Sequence, residues 1–199
     1  GVIADNERAL EAALARGLES DVVVFSGGTS KGAGDISYRI VHTLRNPGVV
    51  AHGVALKPGK PICLAVTEGK PVVILPGFPT SAIFTFHEFV APVLRAYAGL
   101  PTERRQSVAA TLPMRVNSER GRTEYLLVGL VQGQHGVAAY PMGKGSGSVT
   151  TFSGADGFIT IDQHTEILDS GSRVAVQLLG QGLEPADLVI IGSHCVGID

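Results

Sequence analysis

Cysteine is scarce in this sequence: there are two, and neither lies in a pattern that forms disulfides or binds a metal. Cys63 and Cys195 are far apart, and each lies within an apolar run. Secreted domains that depend on disulfides need several cysteines at regular spacings, so we expect a cytoplasmic protein. The six histidines are also isolated, with no partner at the i+4 position and no cysteine or glutamate at ligand spacing. We therefore predict no zinc site.

Charge is sparse as well. Charged residues make up 17% of the chain, and the formal net charge is -2. Nucleic-acid binding through a basic surface needs clustered lysine and arginine, whereas the 16 basic residues here are scattered. No segment reaches the run of about 18 apolar residues that a membrane helix needs, and no signal peptide precedes the first predicted helix. We predict neither a nucleic-acid nor a membrane partner, and any anion site must be built locally.

Residues 1–100 have the pattern of a three-layer α/β domain. Apolar residues at helical spacing predict helices over residues 6–19 and 35–45, and a third helix that begins at Pro79. Residues 21–25 are β-formers without alternation, which is typical of a strand covered on both faces in a parallel sheet. Further short strands are predicted at 49–56, 61–66 and 72–75.

The third predicted helix contains an internal proline. Pro79 suits the first turn, where a missing N–H costs nothing, but Pro92 should bend the helix or split it. Helical spacing predicts a buried stripe made of Ile83, Phe86, Phe89, Val90, Val93, Leu94 and Tyr97.

The pattern changes at Gly99-Leu100-Pro101, which we take as a domain boundary. Residues 105–179 contain short alternating segments separated by glycine or proline, without helical spacing, and this predicts a small all-β barrel or sandwich. Residues 183–199 follow as a separate segment and predict the start of a further domain or a tail.

A glycine-rich segment, residues 26–35, follows the predicted strand at 21–25; we call it the glycine loop. Gly27 and Gly28 allow backbone N–H groups to face a ligand without a Cβ in the way. The N-terminus of the next helix adds partial positive charge, so the segment suits a phosphate or another anion. Asp35 would then bind a divalent cation that bridges to the anion. The alternative is an ordinary turn in which Asp35 caps the helix.

Two further segments carry candidate ligand contacts. The lysine turn, residues 57–61, holds two ammonium groups between prolines and a glycine, and can bind a phosphate or an oxyanion; the alternative is a solvated turn between strands. The proline loop, residues 75–81, joins a predicted strand to a helix, as the glycine loop does. In open α/β sheets, ligands bind beyond the carboxyl ends of strands, so two such loops in one small domain strengthen the prediction of a binding site.

In this order, the three segments resemble the motif series of the molybdopterin molybdenumtransferases, including the C-terminal region of gephyrin. The resemblance covers roughly residues 1–178, with Gly121-Arg122 and Gly145-Ser146 in the β-rich part. It implies a molybdopterin-binding fold for the first domain, whose N-terminal part is missing here, and a small C-terminal β-domain after it.

The resemblance implies the roles of individual residues. Asp35, Lys57 and Lys60 would take part in catalysis, with Asp35 also a metal ligand. The implied cofactor-binding residues are Gly27, Gly28 and Ser30 in the glycine loop, Gly59 in the lysine turn, Pro76, Gly77, Pro79 and Ser81 in the proline loop, and Arg122 and Ser146 in the β-domain. For Arg122 and Ser146 the alternative is a surface arginine and a turn serine.

The chain departs from the family pattern in several places. Phe78 occupies a proline-loop position at which relatives commonly have asparagine, so an amide donor is lost, and the ring could stack or fill space instead. Lys31 adds a positive charge to the glycine loop. The earlier domains of the family are absent, and residues 183–199 resemble the opening strand of a periplasmic-binding-protein-like domain that some members carry at the C-terminus. We therefore expect a piece of a longer protein.

The activity that the resemblance implies is insertion of molybdenum from molybdate into adenylylated molybdopterin, with release of AMP, Mg²⁺ as cofactor and a homodimeric assembly. One alternative is a molybdopterin adenylyltransferase, which usually lacks the β-domain. The other is a non-catalytic ligand-sensing relative, which Phe78 and residues 183–199 favour.

Overall fold

The computed structural model describes residues 1–4, 6–27, 34–103, 105–134, 136–143 and 149–180, and of residues 34–36 the backbone alone. The further domain predicted at 183–199 lies outside these ranges. The described residues fall into two compact units, with residues 1–103 and Val149 in the first and residues 105–143 and 150–180 in the second. No helix within the described ranges is long and apolar enough to cross a membrane.

The first unit is a mixed α/β structure. Its strands are β1 (Val23–Ser26), β2 (Gly48–His52), β3 (Leu56–Lys57), β4 (Cys63–Thr67) and β5 (Lys70–Leu75), and its α-helices are α1 (Glu7–Gly17), α2 (Gly34–His42), α3 (Pro79–Thr85) and α4 (Ala91–Tyr97). Four of the strands form a sheet in the order β1-β5-β4-β2. β1 and β5 are parallel, whereas β4 is antiparallel to both of its neighbours.

Strand β5 separates two apolar cores because successive side chains of a strand point to opposite faces. Val72 and Ile74 pack in one core, which includes Leu10 and Leu14 of α1 and Ile40 and Val41 of α2. Val73 and Leu75 pack in the other, together with Val90 and residues that follow the proline loop. The sheet therefore has helices on both faces, which confirms the three-layer α/β prediction.

The sequence predicted that the strand at residues 21–25, which is β1, is covered on both faces. In the structure the strand with both faces buried is β5. In β1 only Val23 is buried, while Val24 is 39% exposed. Within the described residues β1 pairs only with β5, at the edge of the sheet. A run of β-forming residues indicates a strand, but it does not indicate whether one or both faces of that strand are covered.

The third helix is split as Pro92 predicts. A π-helical turn, Phe86–Val90, separates α3 from α4, and the backbone N–H of Ala91 donates to the carbonyl of Phe86. An extra residue in a turn rotates the following helical face by roughly 100°. The predicted stripe is accordingly wrong beyond the π-helical turn, where Leu94 is 39% and Tyr97 56% exposed.

The second unit contains a closed five-stranded sheet, which confirms the predicted β-barrel. Its strands are β6 (Ser107–Thr111), β8 (Thr123–Gly133), β9 (Gly136–Pro141), β10 (Gly157–Ile161) and β12 (Arg173–Leu178). They follow the order β10-β12-β6-β9-β8, and a β8–β10 pairing closes the ring. A small ribbon, β7 (Val116–Asn117) with β11 (Ile167–Leu168), and a short helix α5 (Val149–Ser153) complete the described residues.

The barrel core is apolar and closely packed. It contains Leu112, Leu130, Ile159, Ile161 and Val176, each at most 1% exposed. Gly157 leaves no room for a side chain between strands, because a Cβ added there would lie 2.5 Å from the carbonyl oxygen of Gln177.

Candidate active site

The glycine loop and the proline loop meet at the ends of two neighbouring parallel strands. Ser26, the last residue of β1, pairs in register with Leu75, the last residue of β5. The backbone N–H of Gly27 donates to the Leu75 carbonyl at 3.4 Å. A Cβ added at Gly77 would lie only 3.7 Å from the Cα of Gly27. The carboxyl edge of the sheet thus brings the two loops into contact.

The lysine turn packs against the helix that leaves the proline loop. A Cβ added at Gly59 would lie 2.5 Å from the Cγ2 methyl of Thr85 and 3.8 Å from the carbonyl oxygen of Ser81. Gly59 also has a φ of 123°, a left-handed conformation that favours glycine. The turn can therefore approach α3 this closely only because residue 59 lacks a side chain.

Thr85 makes the wall against which the lysine turn packs, and the sequence patterns do not single it out. Its side chain is fully buried, and its hydroxyl donates to the carbonyl of Ser81 at 2.7 Å. A hydroxyl satisfied by its own helix leaves the methyl group free to pack against Gly59. Helical spacing shows only that residue 85 lies on the same face of α3 as Ser81, whatever the residue type. It could not have identified the contact between Thr85 and Gly59.

The lysine side chains differ in exposure. Lys57 is partly buried, whereas Lys60 is exposed. The backbone carbonyl of Lys60 accepts from the N–H of Val54 at 2.9 Å, which holds the end of the turn in place. An ammonium group on an exposed side chain can reach an anion in solvent, so the role predicted for Lys60 is sterically open.

The proline loop is anchored at both ends and open in the middle. Pro76 is buried, while Gly77, Phe78 and Pro79 are exposed. Pro79 is the first residue of α3, as predicted. Ser81 is 4% exposed. In the structure its role is to position Thr85, because its carbonyl accepts the Thr85 hydroxyl.

Several predicted site residues lie outside what the structure describes. Gly28, Ser30 and Ser146 are not in the described ranges, and Asp35 is placed only as a backbone position in the first turn of α2. The ligand and metal roles of these residues remain predictions. Among the described side chains, no group of three or more histidine, cysteine, aspartate or glutamate residues could hold a metal ion.

Arg122 belongs to the second unit, just before β8. Its guanidinium lies 3.7 Å from the Glu119 carboxylate, and the two side chains are 39% and 59% exposed. This is a surface ion pair, so the cofactor contact implied for Arg122 stays a prediction.

Cys63 is not part of this site. It lies in β4, is 1% exposed, and burial raises the pKa of its thiol. A buried and protonated thiol is a poor nucleophile, so Cys63 acts as a core residue.

An α/β unit followed by a closed five-stranded sheet is the arrangement that the resemblance to molybdopterin-binding proteins implies. The family model described as "Probable molybdopterin binding domain" matches residues 1–96, and the one described as "MoeA C-terminal region (domain IV)" matches residues 109–179. The chain belongs to the molybdopterin molybdenumtransferase family.

Individual relatives agree with this assignment. The molybdopterin molybdenumtransferase of Haemophilus influenzae is 28% identical over 89% of this chain and 44% of its own length. Molybdopterin molybdenumtransferase 2 of Mycobacterium tuberculosis is 34% identical over 54% of this chain and 28% of its own length. The crystal structure of a MoeA molybdopterin biosynthesis protein from Pyrococcus horikoshii superposes with a TM-score of 0.72 and 37% identity, over 92% of this chain and 43% of that chain. The chain thus spans less than half the length of these relatives.

Proposed function

We propose that the complete protein inserts molybdenum from molybdate into adenylylated molybdopterin and releases AMP. Two contacts carry this proposal: Gly27 lies against Gly77, and Gly59 lies against α3, the helix that leaves the proline loop. Relatives named molybdopterin molybdenumtransferases support the same reaction. An adenylylated pterin carries several negative charges along one molecule, and a pocket lined by successive loops suits such a ligand.

The chemistry asks for alignment of charge more than for a covalent nucleophile. In the proposed site, the backbone of the glycine loop binds the pterin phosphate or nucleotide, with Gly28 and Ser30 as further contacts. Lys57 and Lys60 bind the anionic groups, including the molybdate that is the second substrate. Pro76, Gly77, Pro79 and Ser81 form the wall of the pocket.

We propose Mg²⁺ as the cofactor and Asp35 as one of its ligands. The described side chains, which do not include that of Asp35, form no metal site, so this assignment rests on the family resemblance alone. No reaction step depends on this assignment. Asp35→Asn should lower molybdenum insertion about 100-fold and weaken Mn²⁺ binding measured by electron paramagnetic resonance, while pterin binding stays within about twofold. Unchanged turnover would remove Asp35 from the mechanism.

Three further proposals rest on the family resemblance and on composition: a homodimer, a cytoplasmic location, and contacts from Arg122 and Ser146 to the ligand. Sedimentation velocity of the complete protein tests the first, since a dimer sediments as twice the chain mass. Cell fractionation tests the second.

The decisive experiment supplies the complete protein with adenylylated molybdopterin, Mg²⁺ and molybdate. AMP release should depend on molybdate, and the product should activate a molybdenum-free apoenzyme. Lys60→Ala should lower the rate about 10- to 100-fold, because a charge-assisted hydrogen bond contributes about 1.5–3 kcal/mol. Arg16→Ala, which removes an exposed positive charge from α1, is the matched control. ATP-dependent adenylylation of molybdopterin without molybdenum insertion would contradict the proposal and favour an adenylyltransferase.

A further inference from the structure

Thr85 is a buried polar residue to which neither the sequence patterns nor the family resemblance assigns a role. It is the last residue of α3, and its side chain is fully buried. Buried hydroxyl groups that make hydrogen bonds are common in protein cores, so burial alone carries no argument. The argument comes from the residue that its methyl group meets, which is Gly59 of the lysine turn.

The two ends of the Thr85 side chain make different contacts. The hydroxyl donates to the Ser81 carbonyl at 2.7 Å and lies 3.2 Å from the Ala82 carbonyl, both in the preceding turn of the same helix. A threonine side chain has a single torsion that places its heavy atoms, so these bonds also fix the direction of the methyl group. That group faces the lysine turn, where a Cβ added at Gly59 would lie 2.5 Å from it.

The backbone of the lysine turn is held on two sides. Within the turn, the Gly59 carbonyl accepts from the N–H of Ile62 at 3.3 Å, and the Lys60 carbonyl accepts from the N–H of Val54 at 2.9 Å. These bonds fix the shape of the turn. The contact of buried Gly59 with the Thr85 methyl fixes its distance from α3, because closely packed atoms leave little room for displacement.

The residue that follows Gly59 is a candidate ligand contact. The Lys60 side chain is exposed, so its ammonium group can meet an anion in solvent, but it does so from a Cα whose place is set by the turn. Binding groups act well when packing holds them within about 0.5 Å of the productive geometry. Loss of one methyl group beneath the turn would free it to move by such a distance.

We propose that Thr85 is the positioning residue of the lysine turn: its methyl group holds Gly59, and through it Lys60, at the distance from α3 at which the ammonium group binds an oxyanion. This inference rests on the proposed function and adds to its site a residue that touches no ligand. The oxyanion is molybdate or the pyrophosphate group of the adenylylated pterin, which share negatively charged oxygen atoms. Threonine serves both ends of the contact, since serine lacks the methyl group and valine lacks the hydroxyl.

Oxyanion binding by the complete protein tests the proposal. Molybdate and inorganic pyrophosphate are each titrated by calorimetry into wild type, Thr85→Ser and Thr85→Val. Thr85→Ser should weaken the oxyanion that the turn binds about 5- to 20-fold, because a displaced ammonium group loses part of what Lys60→Ala removes outright. Thr85→Val keeps a methyl group on the same carbon and should keep most of the affinity. The two oxyanions separate the candidate ligands, since only the one at the turn loses affinity.

Stability measurements separate positioning from a general structural role. Both changes at Thr85 should lower the urea midpoint, since one removes a buried methyl group and the other a buried hydrogen bond; only Thr85→Ser should lower affinity. Thr67→Ser is the matched control. Thr67 is 7% exposed and pairs with Lys70 at the start of β5, whereas the proline loop follows the end of that strand. Its loss of a methyl group should change neither oxyanion affinity.

A double variant tests the contact itself without any ligand. Thr85→Ser alone should lower the urea midpoint of the wild-type protein. In Gly59→Ala the same change should raise the midpoint, because serine lacks the methyl group that the new Cβ would meet at 2.5 Å.

The contrary outcomes are distinct. Equal affinities of wild type and Thr85→Ser for both oxyanions overturn the positioning role and leave the proposed function in place. Equal losses of affinity in Thr85→Ser and Thr85→Val also overturn it, because the methyl group would then not be the cause. A double variant less stable than Gly59→Ala overturns the contact on which the role depends. A wild-type protein that binds neither oxyanion overturns the proposed function, and the positioning role with it.

Discussion

The two units of the molecule differ in how many polar side chains they bury. Within the described residues, the first unit buries Ser37, Thr67, Thr80, Ser81 and Thr85, and three of these five lie on α3. Among the described residues of the barrel, one polar side chain is buried, that of Glu124. Buried hydroxyl groups cost free energy unless they are hydrogen-bonded; on α3 the Thr85 hydroxyl donates to the Ser81 carbonyl, and its methyl group lies against Gly59 of the lysine turn. The comparison teaches that the α/β unit has two apolar cores and a helix with buried hydroxyl groups against which the lysine turn packs, whereas the barrel is built around an apolar core.

The largest expected effect falls on the loop contact of the first unit. Gly59→Ala places a Cβ 2.5 Å from the Thr85 methyl at a φ of 123°, so overpacking and backbone strain together should cost about 3 kcal/mol of unfolding free energy. Binding of pyrophosphate should be lost as well. Urea denaturation and calorimetry measure the two effects. Gly69→Ala is the control, because it has a φ of 76° but no atom within 4 Å of the added Cβ, and it should cost about 1 kcal/mol.

The equivalent change in the barrel should affect stability without affecting binding. Gly157→Ala would force a Cβ to 2.5 Å from the Gln177 carbonyl and 2.6 Å from a Val176 methyl, at a cost of about 2 kcal/mol. Urea denaturation should show the loss, while pyrophosphate affinity measured below the transition should be unchanged. A loss of pyrophosphate affinity in Gly157→Ala would contradict the expectation that the barrel affects stability and not binding.

The buried carboxylate of the barrel offers a third test. The Ser118 hydroxyl donates to Glu124 at 2.6 Å, and Glu124 is 3% exposed. Ser118→Ala should cost about 1 kcal/mol because it removes one hydrogen bond to a buried acceptor. Glu124→Ala should cost about 2 kcal/mol, since it also leaves a cavity. In a double-mutant cycle the two changes should be less than additive; strict additivity would mean that the bond contributes nothing.

Cys63 makes the core of the first unit sensitive to alkaline pH. Burial raises the pKa of its thiol above the ordinary value of 9.0. Stability from the protonated thiol is then fully present below the unfolded pKa and is lost as pH rises through the folded pKa. Between those two values the unfolding free energy should fall by up to about 1.4 kcal/mol per pH unit relative to Cys63→Ala. Parallel profiles for the two proteins from pH 8 to 11 would refute this.

The smallest stability effect is expected at Arg122. Its ion pair with Glu119 is exposed, and such pairs contribute about 0–1 kcal/mol. Arg122→Ala should therefore leave the melting temperature nearly unchanged. Because Arg122→Ala should not change stability, a lower rate of molybdenum insertion by the complete protein would indicate that Arg122 contacts the ligand. Unchanged turnover would leave Arg122 as a surface residue.

Local patterns predicted much of the secondary structure. Spacing predicted a helix over residues 35–45, where α2 forms, and alternation predicted β-strands within residues 105–179, where the five barrel strands form. The missing N–H of Pro92 predicted the division of the third helix. Spacing failed for Leu94 and Tyr97, because the π-helical turn changes the register of everything after it. It also overestimated the coverage of β1, since exposure at a sheet edge depends on neighbours that are distant in sequence.

The sequence predicted the three segments of the candidate site, but it did not predict which of them lie in contact. Glycine and proline identify backbone that turns sharply, and this information is local. The contact of Gly59 with Thr85, the contact of Gly77 with Gly27 and the exposure of Phe78 each depend on how separate segments pack.

The amino-acid sequence by itself determined the elements, the turns and the family, because helix and strand periodicity, proline geometry and ordered motifs are properties of short stretches. Only the tertiary structure decided which turns touch, which strand is enclosed and which aromatic ring meets solvent. Those outcomes arise from close packing between distant segments, where a single methyl group at residue 59 or 157 would leave too little room.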